Sequence, residues 1–113
     1  MKVSVVEELR LAKNFVRRLK GLLGTSGLPE KTGLLLEPCD SIHTWGMRYS
    51  IDALFLDEEN RVLDIGHNLP PNTWGKRVKG ARKVLEIQAG RAKQLQIQSG
   101  DEILLTGKGE GNH

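Results

Sequence analysis

Ala53-Leu54-Phe55-Leu56-Asp57-Glu58-Glu59-Asn60-Arg61-Val62-Leu63-Asp64-Ile65 contains two short apolar segments separated by four polar residues. Both segments have the length and composition of strands. The Asp-Glu-Glu-Asn run between them has the chemistry of a hairpin loop, with Asp57 as turn former. An antiparallel hairpin over residues 53–65 is therefore the first element expected, and the rest of the chain is placed around it.

Upstream, Gly33-Leu34-Leu35-Leu36-Glu37 is an apolar run bounded by Gly33 and Pro38, too short for a separate helix and suited to a buried strand. Leu9, Ala12, Phe15, Val16, Leu19, Leu22 and Leu23 recur at steps of three and four, which predicts an amphipathic helix over residues 9–23. Glu7 and Glu8 suit its positive end and Gly24 its stop. Val3, Val5 and Val6 suggest a short leading strand. Downstream, Asn68-Leu69-Pro70-Pro71-Asn72-Thr73-Trp74-Gly75 has the composition of a long surface loop running into Lys76, Arg77, Lys79, Arg82 and Lys83. Val84–Ile87 and Glu102–Thr106 read as strands, Ala89-Gly90 as a turn and Ala92–Leu95 as a short helical segment, with a flexible tail over residues 107–113. Short strands without a βαβ rhythm point to an α+β fold: a mainly antiparallel curved or barrel-like sheet with one amphipathic helix packed on it, forming a single domain over residues 1–106.

The chain has 113 residues, enough for one modest core, and its 38% hydrophobic and 27% charged residues are ordinary for a water-soluble domain. Charges interrupt every apolar stretch well before the roughly 18 to 20 residues that span a bilayer. Two glutamates, Glu7 and Glu8, precede any apolar region of secretory length, so a cytoplasmic protein is expected. The single cysteine, Cys39, excludes an internal disulfide and a cysteine-only zinc cage. A formal charge of +3 is mildly basic and selects no partner by itself.

Pro38-Cys39-Asp40-Ser41-Ile42-His43-Thr44, followed by Met47-Arg48, Ile51-Asp52 and Phe55-Leu56-Asp57, resembles the signature of the domain of unknown function 192 family. Phe15–Gly24, Gly80-Ala81, Val84-Leu85-Glu86 and Ala89-Gly90 extend the resemblance over about residues 12–105. It implies a compact β-rich domain and brings no biochemical activity with it. Gly46 stands where an aromatic residue often follows Trp45 in that family, a departure that bears on the shape of any pocket beside Trp45.

The residues able to carry chemistry concentrate in this central segment. In an extended chain Ser41, His43, Trp45 and Met47 share one face. Cys39, His43 and Met47 combine soft sulfur with imidazole, a donor set suited to copper(I) or zinc. Residues four apart in a strand are about 13 Å apart, however, so a bend or a further ligand is required. Otherwise the three are a buried thiol, a hydrogen-bonded histidine and a core methionine. A small hydrolase or transferase would use His43 with Asp52 or Glu86, or Cys39 as nucleophile, and needs these within hydrogen-bond reach. Arg48, Asp52 and Glu86 are expected to form a charged cluster, either clamping an anionic ligand or bracing strands. Lys76, Arg77, Lys79, Arg82 and Lys83 are accompanied only by Trp74 and by no nucleic-acid motif, which favours a solvated loop over a nucleic-acid partner. The leading expectation is a small-ligand-binding or accessory domain with Ser41, His43, Trp45, Met47, Arg48 and Asp52 in the site, Glu86 opposite and Trp74 on its rim. The sequence names no cofactor, ligand or oligomeric state.

Overall fold

The expected hairpin forms the centre of the molecule. In the computed structural model, which describes residues 2–6, 8–11, 28–45 and 47–105, β5 (Ile51–Leu56) pairs antiparallel with β6 (Val62–Leu69), Leu54 opposite Ile65 and Leu56 opposite Val62. Asp57 makes the turn as its chemistry predicts: one carboxylate oxygen accepts the N–H of Glu59 at 2.8 Å and of Arg61 at 2.9 Å. Asn60 supplies the left-handed residue, at φ 66°. The Lys83 ammonium straps the turn by donating to the Glu58 carbonyl and the Asn60 side chain.

The remaining described strands are β1 (Lys2–Ser4), β2 (Glu8–Leu11), β3 (Thr32–Leu36), β4 (Ser41–His43), β7 (Trp74–Arg77), β8 (Lys83–Gln88) and β9 (Glu102–Leu104), with one short helix, α1 (Arg91–Gln94). Five strands form an open sheet in the order β2-β3-β8-β5-β6, antiparallel except for the β2–β3 pair. It does not close into a barrel, so the fold is α+β with a curved sheet. Two small sheets flank it: parallel β1–β9 and antiparallel β4–β7.

Every residue of β5 is buried, because both faces of the large sheet are covered. Leu54, Leu56, Leu85 and Ile87 pack on one face with Val5, Val6, Ala92, Ile97 and Ile103. Ile51, Ala53, Phe55 and Val84 pack on the other with Leu34, Ile42, Met47 and Tyr49. A side chain of this kind contributes roughly 1.5–3 kcal/mol when fully buried. The strand-by-strand alternation therefore fixes the register, since a one-residue slip would exchange the two faces.

Three expectations change. Residues 9–11 belong to β2, hydrogen-bonded parallel to β3 with Leu9 opposite Gly33 and Leu11 opposite Leu35, so the helix predicted over 9–23 does not begin there. Leu9 continues to Ala12 at helical spacing and to Leu11 at strand spacing, and the ladder with β3 decides between them. The rest of that predicted helix, residues 12–23, lies outside the described residues, as does the tail 107–113. The loop expected over 68–75 contracts to residues 70–73, because β6 runs to Leu69 and β7 starts at Trp74. No helix among the described residues is long and apolar enough to cross a membrane. Among the described residues the helix is α1, one residue earlier than the segment expected over 92–95; it follows Gly90 at φ 88° and buries Ala92 in the core.

Candidate functional site

The richest surface of the molecule is the small β4–β7 sheet, where His43 stands opposite Trp74 and Ser41 opposite Arg77. Partners two positions apart on β4 are thus three positions apart on β7, and at this bulge the β7 backbone comes close to β4. Gly75 makes the approach possible. A Cβ at that position would lie 1.7 Å from the carbonyl oxygen of Ile42, so no other residue fits without moving a strand.

The loop before β7 is fastened by Thr44, which is buried. Its hydroxyl donates to the Pro70 carbonyl at 2.6 Å and accepts the Thr73 N–H at 2.7 Å. Its backbone donates to the Thr73 carbonyl at 2.9 Å and accepts from Asn72 at 2.8 Å. The Pro70-Pro71 segment is thereby held against the central motif, and Trp74 is delivered to the surface at a fixed place.

Three aromatic rings meet there. Trp74 lies edge to face with Trp45, centroids 5.5 Å apart and planes at 77°, and edge to face with His43 at 6.1 Å and 69°. Trp74 is 75% exposed and Trp45 43%. Two tryptophans left this open, Trp74 on β7 and Trp45 just after β4, are unusual, since burying each ring would be strongly favourable. The Trp45 backbone N–H donates to Nδ1 of His43 at 3.4 Å, which leaves Nε2 as the ring's outward nitrogen.

Basic residues flank the rings, with local partners. Arg77 pairs with Asp40 at 3.0 Å, and Lys76 pairs with Asp64. The Lys76 hydrogen bond holds the Asp64 carboxyl below its ordinary range; partial burial opposes the shift, and the Ile65 N–H and the Lys76 and His67 charges add to it. Arg48 is exposed and makes no ion pair among the described residues.

The remaining predicted site residues lie elsewhere. Met47 is buried: its N–H closes a turn onto the Thr44 carbonyl at 3.2 Å, which ends the strand alternation and sends Met47 to the core while Ser41, His43 and Trp45 stay outside. Asp52 and Glu86 are fully buried on opposite faces of the large sheet. Asp52 pairs in register with Ile87, on the face of Leu54 and Leu56, whereas Glu86 pairs with Ala53, on the face of Phe55 and Val84. The expected Arg48–Asp52–Glu86 cluster is therefore not assembled. Arg48 precedes the strand, and both Asp52 oxygens are taken by backbone, Oδ1 accepting from Asn68 at 2.8 Å and Oδ2 from Ala92 at 2.9 Å. The second bond satisfies an N–H in the first turn of α1, where a carboxylate is favoured.

The Glu86 charge acts on two other groups, the buried Tyr49 and the half-buried Cys39. Burial pushes the Tyr49 hydroxyl above its ordinary range, and the Glu86 charge adds to this. Burial likewise raises the Cys39 thiol, opposed by the Ser41 backbone and reinforced by the Asp40 and Glu86 charges, and its sulfur donates to the Ser41 carbonyl at 2.9 Å. Nucleophilic catalysis needs a thiolate with a base beside it. Here Cys39 is held as a thiol, bonded to Ser41, while the bonded nitrogen of His43 faces Trp45. Acid–base pairing of His43 with Asp52 or Glu86 meets the same obstacle, because the imidazole is exposed and both carboxylates are interior.

Thr44 and Gly75 are the positioning residues that the sequence did not single out. Both left a trace. Thr44 alternates with His43 onto the inner side of the strand, where a hydroxyl needs partners, and a glycine directly after an exposed tryptophan in a strand marks close backbone approach.

The sequence and the fold have parallels in known proteins. The family model described as Uncharacterized ACR, the DUF192 family, matches residues 2–105. A UPF0127 protein of Thermococcus sibiricus is 32% identical over 105 residues, covering 84% of this chain and 64% of its own, so the chain spans less than two thirds of that relative. A UPF0127 protein of Pyrococcus horikoshii is 30% identical over 101 residues, with 85% of each chain covered. Among solved structures, a protein of unknown function from Novosphingobium aromaticivorans superposes with a TM-score of 0.64 at 28% identity, covering 81% of this chain and 70% of that one. A Sinorhizobium meliloti protein described as a putative transcription regulator, at 21% identity, shares the fold with a TM-score of 0.67, covering 81% of this chain and 76% of that one. With the family model spanning nearly its whole length, the chain belongs to the DUF192 family.

Proposed function

We propose that the chain is a small-ligand-binding domain whose contact surface is the corner formed by His43, Trp45 and Trp74, with Ser41 and Arg48 exposed on the adjoining backbone. The observation that carries this is the exposure of Trp74, at 75%, on a strand held in place from beneath by Gly75 and Thr44. Rigid backbone under open aromatic rings is what a preorganised contact surface requires, because little ordering entropy remains to be lost on binding. Met47, Asp52 and Glu86 are buried in the interior and are not part of the surface. A cytoplasmic setting agrees with a lone cysteine kept in its protonated form.

The test is a fragment screen of the full chain, followed through the indole N–H resonances of Trp45 and Trp74. Binding at the corner moves both resonances together and leaves the Asn68 and Ala92 amides, which report on Asp52, in place. Hits that cluster away from the two indoles, or a diverse library without hits, would refute the assignment.

A further inference from the structure

We infer that the ligand class of this corner is a neutral carbohydrate, one sugar ring stacking on the open face of Trp74 with its hydroxyls directed to His43, Ser41 and Arg48. This rests on the binding surface proposed above and adds the chemistry that selects its occupant.

The ring geometry comes first. Because Trp45 meets Trp74 at 77°, the two indoles form a floor and a wall, not a pair of parallel plates. A floor of this kind takes a body with one flat apolar face, and the wall limits it on one side. The axial C–H bonds of a pyranose, polarised by neighbouring oxygens, present such a face to the electron-rich indole surface.

The polar perimeter comes second. With Nδ1 accepting from Trp45, neutral His43 carries its proton on Nε2 and offers a donor at the rim. Ser41 is exposed and contributes a hydroxyl that both donates and accepts. Arg48 offers a fork of donors that no carboxylate among the described residues occupies. This mixture matches the ambivalent hydroxyls of a sugar.

Charge comes third and separates the alternatives. A single-stranded nucleic acid needs unpaired cations along its phosphates beside the stacking rings. On β7, however, Arg77 is paired with Asp40 and Lys76 with Asp64. A quaternary ammonium gains from a nearby carboxylate. Neither β4 nor β7 contains one, and Asp40 and Asp64 are already paired. The corner is aromatic and ringed by hydrogen-bonding groups, and Arg48 is one cation without an ion pair among the described residues, which does not make a phosphate track.

The chain contains only two tryptophans, and both are in the corner, so intrinsic emission reports on this site alone. The full chain is titrated separately with cellohexaose, laminarihexaose, maltohexaose and chitohexaose, with oligothymidylate and tetramethylammonium as probes of the competing classes. At least one oligosaccharide is expected to give a saturable emission change. Trp74→Ala, read through Trp45, should weaken its binding about tenfold. Arg48→Ala, at an exposed position, should weaken it severalfold without lowering the melting temperature. If the oligosaccharides do nothing while oligothymidylate or tetramethylammonium gives a saturable change lost in Trp74→Ala, the carbohydrate assignment is overturned and the binding surface stands. If no probe of any class perturbs the emission, both are overturned.

Discussion

Thr44 and Thr73 exchange two hydrogen bonds, the Thr44 N–H donating to the Thr73 carbonyl at 2.9 Å and the Thr73 N–H to the Thr44 hydroxyl at 2.7 Å. The same hydroxyl donates to Pro70, so one buried atom anchors the loop that leads to Trp74. Thr44→Val keeps the shape and strands the Thr73 N–H and the Pro70 carbonyl. We expect a loss of about 1–3 kcal/mol in denaturant melting, with Thr44→Ser, which keeps the hydroxyl, recovering most of it. Equal stability of Val and wild type would show that the loop is held by something else.

Gly75 faces the Ile42 carbonyl so closely that even a methyl group cannot be placed. Gly75→Ala must therefore push β7 away from β4, at a cost of about 3 kcal/mol if the strands remain paired. Separation of the strands also removes the edge-to-face contact of Trp45 and Trp74. Exciton coupling between the two indoles in far-ultraviolet circular dichroism should vanish in this variant.

The sequence announced what local chemistry decides. Asp57 and Asn60 wrote the hairpin turn, the apolar run of β3 its burial, and Gly90 the start of α1. What it could not announce depended on partners distant in the chain. Leu9 fits a helix with Ala12 or a strand with Leu11 until β3 offers a ladder. Asp52 and Glu86 read as members of one cluster, and only the register of β5 against β8 shows that a sheet lies between them. The corner was legible in part. His43, Trp45 and Trp74 were named from residue type alone, but Trp45 and Trp74 are brought together by a bulge and a glycine whose meaning appears only once the strands are paired.

Asp64 is held in its charged form by Lys76, and the sign of the pH dependence follows. A carboxyl whose folded value is depressed contributes stability at pH above its unfolded value, and that contribution is lost as pH falls through the lower, folded value. Both groups are substantially exposed, so the contribution is below about 1 kcal/mol. Lys76→Ala should flatten the stability profile in the acid limb and leave the neutral plateau lower by no more than that amount. An unchanged acid limb would mean that the pair is dispensable.

Cys39 is kept as a thiol mainly by burial, with Asp40 and Glu86 opposing ionisation. Alkylation by iodoacetamide at neutral pH should therefore be several times slower than for a cysteine in the denatured chain, and should accelerate only above the ordinary thiol range. Asp40→Asn removes one opposing charge and frees Arg77, and should speed the reaction. A thiol that reacts faster than the denatured chain at neutral pH would restore Cys39 as a candidate nucleophile.

Asp52 offers the sharpest separation between support and site, because both of its oxygens are occupied by backbone N–H groups from different elements, Asn68 on β6 and Ala92 on α1. Asn68 itself sits at φ 49°, within the irregular stretch of β6 opposite Asp52. Replacing the carboxylate by Asn keeps one acceptor and turns an NH₂ group toward the other N–H. We expect Asp52→Asn to cost roughly 3 kcal/mol and Asp52→Leu, which orphans both N–H groups, to cost more. The amides of Asn68 and Ala92 should lose hydrogen-exchange protection in both variants. At temperatures where Asp52→Asn remains folded, the emission of Trp45 and Trp74 and its response to ligand should match the wild type, because the large sheet separates Asp52 from the core face that carries Ile42 beneath β4. A variant of wild-type stability that has lost ligand binding would instead return Asp52 to the site.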